Sequence, residues 1–147
     1  MTDPGGGQAD LRPHLRSETI DEHATVIVRG GPNRVLTLQR HARRTAQAFA
    51  LDGVPVWGIS VMAALDDLGP ASLPGILAGR MATYPVVHVP TASALLEAGI
   101  ELLPTFGRPH FTARIGSDDE PDLAGLLAAL GPAQANPYHG GRRSRRR

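Results

Sequence analysis

The chain has 147 residues, a formal net charge of +1, 41% hydrophobic residues and only 4% aromatic ones. That describes one ordinary domain whose core rests on Leu, Val, Ile and Ala. There is no Cys, which excludes disulfides, thiolate metal centres and a cysteine nucleophile.

Residues 1–18 are polar and Gly-rich, which predicts a mobile segment. Met1–Gly7 has no apolar run of the kind a secretory leader needs, and no stretch approaches the roughly 20 apolar residues of a membrane span. The expectation is a cytoplasmic protein with no membrane contact. A single α+β domain is expected over 19–132. Its first strand, Thr19–Arg29, ends at the breaker cluster Gly30-Gly31-Pro32. Val35–Phe49 reads as a helix, with Leu38, Ala42, Thr45 and Phe49 on one stripe and Arg40, Arg43 and Arg44 on a solvated face. Asp52-Gly53 signals a turn, followed by a strand over Val54–Val61 and a helical turn over Met62–Asp67. Ser72 caps a short helix that Gly79 ends.

Tyr84–Val89 is the next strand and Pro90 stops it. Thr91 caps a helix over Ala92–Ala98, with Gly99 just past its end. Ile100–Leu103 is a short strand. Phe111, Ala113 and Ile115 alternate with His110, Thr112 and Arg114, so a strand there has one apolar and one polar face. Ser117-Asp118-Asp119-Glu120 has capping-box spacing before a helix over Pro121–Leu130. Residues 133–147 read as an irregular tail. Its arginines, Arg142, Arg143, Arg145, Arg146 and Arg147, form a basic arm of a kind that can touch nucleic acid.

Two stretches share a pattern: His23-Ala24-Thr25-Val26 and His110-Phe111-Thr112-Ala113. They resemble the paired His-x-Thr/Ser-x motifs of the two-histidine phosphoesterases, which include RNA cyclic phosphodiesterases and the 2′-5′ RNA ligase-like proteins. Pro109 before His110 and Gly30 after His23 fit the same pattern, although Val28-Arg29 stands where the family has an aromatic or leucine pair. The resemblance implies two similar small α/β lobes facing a central groove, one motif strand in each. It also implies metal-independent action on a 2′,3′-cyclic or related phosphodiester, with an RNA end or a cyclic nucleotide as substrate. His23 and His110 would then be acid and base, in an order the residues do not assign. Thr25 and Thr112 would bond the phosphate, and Arg29 and Arg114 would offset its charge.

No histidine pair has the helical spacing of a zinc site, so no metal and no cofactor are expected. A second resemblance, of Val26–Gly30 and Gly58–Val61 to the Arg and Ser strands of ADP-ribosyltransferases, lacks a strand for the catalytic Glu. The alternative to an enzyme is a small binding or regulatory protein, such as an accessory to a toxin–antitoxin pair or a mobile element, that uses its arginine tail.

Overall fold

A computed structural model of the chain describes residues 7–140. The first six residues and the terminal arginine run, Arg142, Arg143, Arg145, Arg146 and Arg147, lie outside the described residues. Among the described residues the fold is mixed α/β, with four α-helices and two sheets. The larger sheet contains β2 (Ile27–Gly31), β5 (Gly58–Ala63), β6 (Val86–His88), β7 (Glu101–Leu103), β8 (His110–Arg114) and β9 (Gln134–Ala135). Its spatial order is β7-β8-β5-β2-β6-β9, and every neighbouring pair is antiparallel. The strand that follows the first histidine motif, β2, and the strand that carries the second, β8, therefore lie in one sheet, on either side of β5.

Helices α1 (Val35–Ala48), α3 (Ala92–Glu97) and α4 (Glu120–Leu130) cover one face. Leu38 and Ala42 of α1, Leu95 of α3 and Leu123, Leu126 and Leu130 of α4 bury against Ile27, Ile59, Val61, Phe111 and Ala113. The other face has two covers. α2 (Leu73–Ala78) and the turn after it bring Ile76, Leu77 and Met81 onto Val28, Met62 and Val87. Over β7, a small sheet of β1 (Ala9–Asp10), β3 (Phe49–Leu51) and β4 (Val54–Pro55) buries Leu11, Leu51 and Val56 against Leu103.

Several elements form for the reasons their residues suggest. Ser72 Oγ accepts from Gly75 N–H, and Thr91 Oγ1 accepts from Ala94 N–H, so both short helices have hydroxyl N-caps. Asp52 and Gly53 both have positive φ, 52° and 79°, as the tight hairpin turn between β3 and β4 requires.

Other boundaries move. The first strand begins at Ile27, not Thr19, because Asp21 turns the chain first. Its carboxylate accepts from the His23 and Ala24 N–H groups, and its carbonyl accepts from Thr25 N–H. The strand then continues through Gly30 and Gly31, which the aromatic rings of Tyr84 and His88 cover closely. A Cβ at Gly30 would lie 2.6 Å from the Tyr84 ring. Met62 and Ala63 belong to β5 and not to a helical turn. Ser117 does not cap α4; its hydroxyl donates to Asp122, and the N-cap position is Asp119.

Both ends of the domain are docked further than composition suggests. Residues 9–10 pair with β3, and Leu11 is 1% exposed. In the expected tail, β9 pairs with β6, and the buried Asn136 amide donates to the carbonyls of Leu77, Met81 and Tyr84. No helix among the described residues is long and apolar enough to cross a membrane.

Leu11 gives a direct test of the docked N-terminal segment. Leu11→Ala is expected to lower the unfolding free energy by about 2–5 kcal/mol, the range for a fully buried leucine. Urea denaturation measures this, and an unchanged midpoint would show that residues 8–16 contribute nothing to the core.

Candidate functional site

The sheet is not continuous along its length. β2 pairs with β5 only at Ile27↔Ala63 and Val28↔Met62, and from Arg29 onward it pairs with β6 alone. Beyond Val28 the two strands diverge, and Arg29 fills the point of divergence. Its Nη1 donates to the Ser60 carbonyl at 2.9 Å, where a backbone ladder would otherwise run. Its Nε donates to Asn33 Oδ1 at 3.2 Å, and the Asn33 amide in turn donates to the Gly30 carbonyl at 2.8 Å.

The divergence opens a cleft of about 410 Å³. Its floor is Ser60 and Met62 of β5, and its walls are Arg29, Arg80, Thr83 and Tyr84. Arg80, Thr83 and Tyr84 come from the segment after α2, which Asn136 holds by bonding the carbonyls of Met81 and Tyr84. Tyr84 is 40% exposed, with its ring over Gly30. Among the described residues neither Arg29 nor Arg80 pairs with a carboxylate, whereas Arg12, Arg16, Arg43, Arg108 and Arg114 all do. Burial pulls the Arg29 guanidinium below its ordinary pKa. Two arginines and three hydroxyl-bearing residues line one cleft, a lining whose charge and donor types suit an anion.

His110 stands outside the lining of this cleft, one strand from its floor. It pairs with Met62 across β5 and β8, so the two side chains share a face. Its Nδ1 lies 3.0 Å from Thr105 Oγ1 and 3.2 Å from the Thr105 carbonyl. Donation from Nδ1–H to that carbonyl leaves Nε2 as the lone-pair nitrogen. Burial lowers the His110 pKa most; the Thr105 carbonyl opposes this, and the charges of Arg80 and Arg16 add to the lowering. The imidazole is therefore neutral at pH 7 and able to accept a proton. Phe106 packs on it at 5.3 Å between ring centroids. Arg16 braces the loop beneath, donating to the carbonyls of Thr105, Phe106 and His110 at 2.7, 3.1 and 2.8 Å.

The other expected site residues go elsewhere. Thr112 does share a face with His110, but it is buried and its hydroxyl is spent on Thr105 Oγ1 at 2.7 Å. Arg114 lies 3.6 Å from Glu101 on β7. His23 sits exposed in the turn that Asp21 makes, on no strand. Thr25 is buried and borders a separate depression with Asp21, Asp66 and Asp67. There the paired hydrogen bonds from Arg108 hold the Asp66 carboxyl below its ordinary range. His23 and His110 share no cleft, hydrogen bond or ring contact. Of the residues expected together, the structure sets only Arg29 in the cleft lining, with His110 one strand from its floor. It adds Arg80, Ser60, Thr83 and Tyr84, for which local sequence gave only one pointer: a glycine at position 30 that permits close approach.

No family model matches the chain, and no curated protein and no solved structure matches it either.

The electrostatic account is testable by histidine NMR titration. His110 should titrate below 6.5, and Arg80→Ala should raise its midpoint. Because the folded pKa is depressed, the neutral ring's stabilising contribution is complete above pH 6.5. It is lost as pH falls through the folded pKa. A wild-type midpoint at or above 6.5 would contradict the account.

Proposed function

We propose that the cleft between β2 and β5 binds the phosphate of a phosphodiester, and that His110 opens the ester without a metal ion. The 2′,3′-cyclic phosphates are the substrate class in view. One observation carries the reading: Arg29 and Arg80 face a common cleft with no carboxylate between them. Keeping the largely buried Arg29 without a carboxylate partner is costly, and a bound phosphate offsets the cost. The hydroxyls of Ser60, Thr83 and Tyr84 supply neutral donors for the non-bridging oxygens.

In this proposal His110 Nε2 takes the proton of a water whose oxygen attacks phosphorus. The bond from phosphorus to one ribose oxygen breaks, and the imidazolium returns its proton to that leaving oxygen. Arg29 and Arg80 offset the charge that gathers on the phosphoryl oxygens. The resemblance to two-histidine phosphoesterases enters through the His110 motif alone. The groove between two lobes becomes the space between the β2–β6 and β5–β8 arms of the splayed sheet. Thr112 acts at one remove, through Thr105, on the orientation of the imidazole.

The test uses a 2′,3′-cyclic nucleotide with wild type, Arg80→Ala and His110→Ala, all in EDTA. Arg80→Ala should weaken binding by roughly tenfold or more, as one lost charge-assisted bond requires. His110→Ala should retain binding and lose about 10²- to 10⁴-fold in rate. The wild-type rate should rise with pH through a midpoint below 6.5 and then level, because the base must be neutral. Binding without turnover in the wild type would leave a phosphate-recognition module. Absence of both would remove the proposal.

A further inference from the structure

The open face of the sheet does not end at the cleft. Ile59, Val61 and Ala63 of β5 pack under the helices, so Ser60 and Met62 between them point to the other side. On β8, Phe111 and Ala113 also lie in the helical core, which sends His110 and Thr112 to that same open side. The register agrees, with Met62 opposite His110 and Ser60 opposite Thr112. Two covers flank this stretch. α2 and the segment after it lie over Val28, Met62 and Val87, and the small sheet lies over Leu103. Between the covers Ser60 stays exposed, although β5 is an inner strand.

Phe106 stands on the small-sheet side of this stretch. Its ring meets those of Phe49 in β3, His14 and His110, at 5.5, 5.1 and 5.3 Å between centroids. None of these contacts is a flat stack, since the planes are inclined by 56°, 44° and 64°. The ring is 39% exposed. Its backbone is unusual as well. Phe106 has a φ of 59°, where a side chain is strained. Asp52 is the other non-glycine residue with positive φ among the described residues, and it serves a hairpin turn. Two hydrogen bonds pin the strained residue. Its N–H donates to the His14 carbonyl at 2.8 Å, and Arg16 Nη1 donates to its carbonyl at 3.1 Å. A glycine would take this conformation freely, and burial does not explain why a large apolar ring stands here instead.

We infer that Phe106 is a stacking platform for a nucleobase, so that the ligand of the cleft is a nucleotide lying across β8. The inference rests on the cleft being a phosphate site, and it adds a base subsite to it. His110 is one strand, about 5 Å, beyond the cleft floor, and Phe106 is one ring contact beyond His110. A phosphate between Ser60 and His110 then has its ribose over β8 and its base against Phe106. That is the order in which a nucleotide presents phosphate, sugar and base. Every base has a π-face, so the platform separates nucleotides from base-free phosphates without selecting one base.

The experiment is isothermal titration calorimetry on the full chain with two probes that His110 does not consume. Adenosine 2′-monophosphate and 1-O-methylribose 2-phosphate carry the same phosphate with and without a base. The wild type should bind the nucleotide at least about tenfold more tightly. Phe106→Gly removes the ring and suits the positive φ, so the loop keeps its backbone. In that variant the preference should vanish while affinity for the base-free probe stays at the wild-type value, which also shows that the cleft is folded. Phe106→Trp should keep the preference, because it keeps an aromatic surface. Equal affinity of the wild type for the two probes would overturn the platform. A preference that survives in Phe106→Gly would overturn it too, and would move the base to Tyr84. Loss of both probes in Phe106→Gly would make the ring a support of the loop and no subsite. Failure of the cleft reading looks different: the wild type would bind neither probe, or Arg80→Ala would leave both affinities unchanged.

Discussion

The guanidinium of Arg29 is what the architecture turns on. Two antiparallel strands part after two residue pairs, and strands that part leave carbonyls without partners. Arg29 answers the Ser60 carbonyl directly. Through Asn33 it is tied to the Gly30 carbonyl as well. A side chain with five donors in a fixed plane suits this position; a point-charge ammonium would reach one partner at a time. The sheet can then open with that carbonyl still paired. The opening is the cleft, so the residue that repairs the sheet also gives the cleft its charge.

The surrounding elements hold this opening in shape from both sides. Asn136, far along the chain, fastens the turn that carries Arg80, Thr83 and Tyr84 by spending its amide on three carbonyls. Arg16, near the start, fastens the loop that carries Thr105 and Phe106. Each is a side chain satisfying backbone in an irregular segment, the role that a strand ladder plays elsewhere. One consequence is that the docked ends of the domain are parts of the site's support. A second is that His110 sits in a fixed frame, with Thr105 on one ring nitrogen and Phe106 in edge-type contact with its ring.

One buried group stands outside this economy. His88 Nδ1 lies 2.8 Å from the Gly131 carbonyl, while its Nε2 is buried without a partner. The ring sits against Gly31, where a Cβ would lie 2.9 Å from its Cδ2. Two consecutive glycines in β2 thus admit two aromatic side chains from the 84–88 segment. This close approach lets β6 take over the pairing that β5 abandons.

What the sequence by itself determined is the local grammar. The caps at Ser72 and Thr91, the Asp52-Gly53 hairpin, the span of α1 and the alternation of β8 were all legible. Each depends on interactions within a few residues. Thr19–Arg29 misled because one carboxylate, that of Asp21, competes with strand pairing, and its effect is invisible to a reading of hydrophobic alternation. The site was legible only in fragments. His110 and Arg29 could be singled out, but their partners could not, because Arg80, Tyr84 and Ser60 meet them only when β2 leaves β5 for β6. His23 carries the same motif as His110 and ends in a different environment. A motif specifies side chains, while the register of the strands and the point at which they separate decide which side chains share a space. That decision belongs to long-range packing, where the burial of Leu11, Met81 and Val87 settles what no stretch of the chain encodes alone.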